Sequence, residues 1–177
     1  TMLTIGGPMY GGKPHWEHHF AALKREGIYT CLSIYFPLWA KLGPENTDFP
    51  GYTGKNPFAL LYFNGKFQAL YRTWWDALLT TPNPHTGLAL KDDPAVAMAE
   101  LVNEDSVFFW TFNPDAAPEK TNIPEPQRTL LEQQFTAWLQ AKYPGKSLDE
   151  IRAGPWQGLA TPHDNFAVNR VGFRPLW

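Results

Sequence analysis

Two short, almost unbroken apolar runs, IYTCLSIYF over Ile28–Phe36 and AVAMAELV over Ala95–Val102, constrain this chain most. A segment that is apolar on both of its alternating faces has to lie between two layers, and runs this short suit strands better than helices. The first run is also rich in β-branched and aromatic residues, while Pro94 bounds the second.

The segments between these runs carry the helical period instead. Trp16–Glu26 places Phe20 and Leu23 three apart and stops at Gly27, which suits a helix C-cap. Asn64 is a plausible N-cap for a longer helix, with Phe67, Leu70, Tyr71, Trp74, Trp75 and Leu78 on one stripe. A third helix is expected over Pro126–Lys142, with Leu131, Phe135, Trp138 and Leu139 facing inward, and Ser147 with Glu150 reads as a capping box for a shorter one. The Gly/Pro-rich opening yields no element, Pro37–Pro57 and Thr81–Pro94 read as loops, and Gly154–Trp177 reads as irregular. Helix, strand, helix, strand, helix is the alternation of βα units around a parallel sheet.

The 177 residues suit one globular unit, 1–177, in which 113–177 forms a long insertion or loop–helix region after the second strand. A formal net charge of -2 without a basic stripe gives no means of holding a phosphate backbone, so nucleic acid is not an expected partner. The lone cysteine, Cys31, can form neither an internal disulfide nor a Cys-type zinc site. No apolar run is long enough to span a membrane, and Thr1–Gly12 has no secretory-signal pattern. The compartment stays open, and an extracellular or periplasmic parent protein is compatible with these features. Neither GxGxxG nor a Walker pattern occurs, and no cofactor is expected.

In a parallel barrel, catalytic groups sit where strands end at the C-terminal face, so a carboxylate closing a buried strand is placed for chemistry. Glu104 is that carboxylate here. Strict alternation puts Val96, Met98, Glu100, Val102 and Glu104 on one side, with Glu100 beneath Glu104 as a buried, structural acid. Two stacked, poorly solvated carboxyls disfavour joint ionisation, which is how a general acid is tuned. Against this stands the reading of Glu104 and Asp105 as the start of a surface loop.

The stretch NPHTGLALKDDPAVAMAELVNEDSVFFW, Asn83–Trp110, resembles the region around the fourth strand of clan A glycoside hydrolases, most of all cellulase-type members of glycoside hydrolase family 5. LKREGIYTCLSIYF, Leu23–Phe36, resembles the approach to the third strand, and a weaker likeness runs on to about Trp156. The resemblance implies an α/β fold of the parallel (β/α)8 TIM-barrel type, only part of which this chain holds. It implies retaining hydrolysis of β-linked glycosides, with Glu104 as general acid/base and Asn103 holding the sugar 2-hydroxyl; Asp92–Pro94 and Glu100 fit the same pattern. The family's nucleophile, a Glu ending the seventh strand, has no match, since Glu119, Glu125, Glu132 and Glu150 fall in loops or on amphipathic helices. Such a chain is a fragment, is completed by a partner or by self-association, or has become a non-catalytic carbohydrate-binding or structural subunit.

Tyr35, Trp39 and Trp110 follow the strands and offer flat faces to sugar rings, whereas Trp74, Trp75 and Trp138 are assigned to the core. His15, His18 and His19 have helical spacing for a shared ion but lack the HExxH pattern, and no metal site is expected. His85 and His163 stand alone in loops, and His163 with Asp164 lines a cleft only if the tail folds over the barrel mouth.

Overall fold

The computed structural model describes residues 2–6, 16–154, 164–168 and 170–172. Three parallel strands, β1 (Met2–Gly6), β2 (Tyr29–Ser33) and β3 (Val96–Glu100), form one sheet in the order β1-β2-β3. β1 pairs with β2 from Met2↔Tyr29 to Gly6↔Ser33, and β2 pairs with β3 from Thr30↔Val96 to Ser33↔Glu100. The Gly/Pro-rich opening thus supplies a strand that its composition hid.

The helices are α1 (Trp16–Arg25), α2 (Leu60–Phe63), α3 (Gly65–Thr80), α4 (Gln127–Lys142) and α5 (Leu148–Ala153). Their local signals act as the sequence suggests. The Asn64 side chain accepts from the Phe67 amide at 3.0 Å at the start of α3. Gly27, at φ 70°, ends α1, and Ser147 and Glu150 close a reciprocal capping box on α5. The short helix α2 falls between the expected loop ending at Pro57 and the helix expected from Asn64, in a stretch to which the sequence reading assigns no element.

Helices α1 and α3 cover the same face of the sheet. Phe20 of α1 is buried with Leu32, Ile34, Leu90 and Ala95, and Trp74, Trp75 and Leu78 of α3 pack against that cluster. With sequential strand order, both crossovers therefore wind the same way. A second cluster lies beyond the strand ends, where Tyr35, Tyr52, Phe63 and Phe67 meet Phe112, Ile123 and Leu131. Leu139, Ile151 and Val171 form a third between α4, α5 and the following chain.

The expectation that both strands are buried on two faces holds poorly for β3, whose residues after Val96 are all exposed, Met98 to 53%. No described strand pairs with its outer edge. Strict alternation along β3 also fails, because the pairing shifts between Thr30 and Cys31 so that Ala97 is an extra residue. Val96 packs among the helix-side residues, while Met98 and Glu100 stand opposite Cys31 and Ser33. The aromatic assignment is corrected at Trp138, which is substantially exposed and stacks on Phe135 beneath the Lys142 ammonium. Leu70, placed on the inward stripe of α3, is exposed as well.

Candidate functional site

β3 ends at Glu100, and the chain that leaves its C-terminal end is stapled down residue by residue. The Tyr71 hydroxyl donates to the Leu101 carbonyl at 2.5 Å, and the Asn103 amide donates to the Tyr35 carbonyl at 2.8 Å. Two residues later, Asp105 is only 5% exposed. Its Oδ1 accepts from the Thr111 hydroxyl at 2.6 Å, its Oδ2 accepts from the Ala59 amide at 3.0 Å, and its carbonyl accepts from the Tyr62 hydroxyl.

Glu104 lies between these anchors with φ 50°, in the left-handed region that side chains with a Cβ rarely adopt. Ala59 is the other non-glycine residue with positive φ among the described residues, at 66°, and its amide is the one that Asp105 accepts from. Both strained residues therefore adjoin one buried carboxylate, the first through the chain and the second through a hydrogen bond. Such strain persists only where the surroundings over-determine it, and it concentrates at working sites. Here the buried Asp105 fixes the backbone while the Glu104 side chain is presented to solvent.

Asp105 has neutral donors and no cation among its described partners. Burial pushes its carboxyl above the ordinary aspartate range, and the bonds from Thr111 and Ala59 pull it partly back. The negative charge also acts on its neighbours. Burial first, and then Asp105, raises the phenols of Tyr35 and Tyr52 well above the ordinary tyrosine value, and the same causes push Tyr62 up to about 12. These tyrosines are hydrogen-bonding struts: Tyr52 donates to the Phe58 carbonyl at 2.7 Å, next to the strained Ala59.

Several expectations need correction. Glu100 is exposed instead of buried, because no described element covers its side of β3, and it accepts from the Ser33 hydroxyl at 2.5 Å. The desolvated carboxyl is therefore neither member of the expected Glu100–Glu104 stack; it belongs to Asp105. Tyr35 is 9% exposed, ringed by Phe67 and Tyr71, so it is a core residue and no sugar platform. Trp39 and Trp110, at 52% and 58% exposure, are open as a platform requires; Trp39 leans edge-on against Phe36, and Trp110 against Phe58. Both lie on loops that leave the C-terminal ends of strands, as Asn103 and Glu104 do. Asn103 is half-buried.

The other acidic residues considered at the sequence level have local duties. Glu125 bonds Arg128 and Thr129, Glu132 bonds Arg170, and Glu150 caps α5, while Glu119 is exposed. Asp164 accepts from the Gly172 amide at 2.9 Å; His15, His163 and Trp156 lie outside the described residues. Among the described residues no group of three or more His, Cys, Asp or Glu could hold a metal ion, and no helix is long and apolar enough to cross a membrane.

The sequence carries no sign of Ala59, Thr111 and Tyr62, and it offers Asp105 only as part of a surface loop, whereas Asp105 is buried. Only the position of Asp105 directly after Glu104 could have drawn notice, because its partners lie 46 and 6 residues away along the chain. Comparisons with protein-family models, with curated proteins and with solved structures give no match.

Proposed function

We propose that this chain carries the acid/base half of a retaining β-glycosidase site on part of a (β/α)8 barrel. The observation that carries the reading is the left-handed, solvent-presented Glu104 just beyond the C-terminal end of a parallel strand, held by the buried Asp105. Sheet order and helices on one face agree with a singly wound barrel, in which β1, β2 and β3 stand as successive strands. Trp39 and Trp110 supply exposed ring faces at the same end of the sheet, suited to stacking on sugars.

In this reading Glu104 protonates the glycosidic oxygen as a second carboxylate attacks the anomeric carbon and the glycosidic bond breaks; as carboxylate, Glu104 then takes a proton from the water that attacks that carbon and displaces the second carboxylate. The second carboxylate, about 5 to 5.5 Å away in retaining enzymes, comes from a segment paired beyond β3. Asn103 holds the 2-hydroxyl.

A second reading, non-catalytic carbohydrate binding, is favoured by the exposed tryptophans together with the local engagement of Glu125, Glu132 and Glu150. Both are tested with a panel of aryl β-glycosides of graded leaving groups and the variant Glu104→Gln. Hydrolysis that collapses in the variant for poor leaving groups and survives for good ones supports the acid/base role. Hydrolysis unaffected by the substitution refutes it. No hydrolysis, with oligosaccharide binding that quenches tryptophan fluorescence and is lost in Trp110→Ala, supports the binding reading.

A further inference from the structure

At the opposite end of the sheet, α1 and the turn 83–87 flank an open cleft of about 410 Å³ that the proposed glycosidase chemistry does not use. Among the described residues its walls carry His18, Lys24, Arg25, His85 and Thr86, and no Asp or Glu. Ala21 and Ala22 on the helix leave it room.

The cleft is held in shape by a buried asparagine. Asn83, 1% exposed, donates from Nδ2 to the Glu17 carbonyl of α1 at 3.0 Å and accepts the His85 amide on Oδ1 at 2.8 Å. Its carbonyl accepts from the Gly87 amide at 2.8 Å, and Gly87 supplies the φ of 73° that closes the turn. One residue thus bolts the turn to the helix and sets the His85 ring edge-on to His18, with ring centroids 5.3 Å apart.

The charges around the cleft are unequally matched. The Lys24 ammonium is shared with the buried Asp93 at 2.8 Å, whereas among the described residues Arg25 meets only Glu26, at 3.4 Å between two highly exposed side chains. An exposed pair of that kind is weak and open to exchange. Arg25, two imidazoles and the Thr86 hydroxyl therefore face the cleft as donors, and the Lys24 and Arg25 charges disfavour a cation between the histidines.

We propose that this cleft binds a compact oxyanion, a phosphate or a phosphate monoester, gripped by Arg25, His18 and His85 and independent of the Glu104 site. Guanidinium and imidazole are suited to phosphate oxygens, and the fixed turn spares the ordering cost of assembling them.

The test is a titration of the intact protein with inorganic phosphate and with phenyl phosphate at constant ionic strength, following the imidazole resonances of His18, His85 and His19. Saturable shifts of His18 and His85 that exceed those of His19, which does not line the cleft, are expected with one or both compounds. The tighter of the two identifies the free ion or the ester as the preferred form. Arg25→Gln and His85→Gln, both at exposed positions, each weaken binding about tenfold. Equal, non-saturating shifts in all three histidines, or affinity unchanged in both variants, overturn the proposal. So does stoichiometric capture of Zn²⁺ by His18 and His85 with no response to phosphate.

Discussion

Two aspartates flank β3, both essentially buried, and they are stabilised in opposite ways. Asp93, in the turn before the strand, takes the Lys24 ammonium at 2.8 Å and the Ala95 amide at 3.0 Å. Asp105, in the loop after it, has a hydroxyl and a backbone amide and no cation among its described partners. An ion pair makes the first a clamp between α1 and the sheet. The second is a carboxyl without a cation among its described partners in a low-dielectric place, where ionising it is costly unless the site requires it. The contrast separates a structural acid from one that holds a site under strain.

The largest effect is expected from Asp105→Ala. It strands the Ala59 amide and the Thr111 hydroxyl and frees the backbone at Glu104, so stability falls by about 2–3 kcal/mol, measured by urea denaturation. A loss below 0.5 kcal/mol, on that same scale, would mean that Asp105 anchors nothing. Next comes Lys24→Met, which keeps the aliphatic stem but leaves Asp93 with its amide alone. Because the ammonium is partly solvated, the cost is about 1–2 kcal/mol. Should it equal or exceed that of Asp105→Ala, the ranking of the two acids is reversed.

Asp105→Asn sharpens the contrast through pH. The amide can accept from Ala59 and donate to Thr111, so the network survives without the charge. Burial raises the folded-state carboxyl, so the folded protein holds this proton more tightly than the unfolded chain. Its contribution to stability is therefore greatest below the ordinary aspartate value, about 3.9, and declines as pH rises through the raised one. Melting temperatures across this range should show the parent losing ground to the variant with rising pH; a flat difference contradicts the desolvation argument.

The smallest effect belongs to Glu104→Gly. Glycine accepts φ 50° without the Cβ cost, so this exposed position gains about 0.5–1 kcal/mol while any hydrolysis of substrates with poor leaving groups is lost. Destabilisation instead would show that the Glu104 side chain makes contacts the fold depends on.

Much of the local structure was legible in the chain. Asn64 before a helical stripe, Gly27 after one, and Ser147 with Glu150 are signals confined to a few neighbouring residues, and each acts as its chemistry dictates. The two apolar runs located β2 and β3 for the same reason. β1 escaped because a five-residue strand beside glycines and prolines has too few positions to show a period.

Of the candidate site, Glu104, Trp39 and Trp110 could be named from their place after strands, and tertiary structure leaves all three exposed. It also turned Tyr35 inward, left Glu100 open and buried Asp105, reversing three expectations. Which side chain is desolvated depends on what packs over it, and that is decided by contacts between residues tens of positions apart. Sequence alone located the longer helices and the strands β2 and β3, because caps, periods and apolar runs are local. Only the assembled layers decided which carboxylate is buried and which is presented, because burial is a property of the neighbours a residue acquires in space.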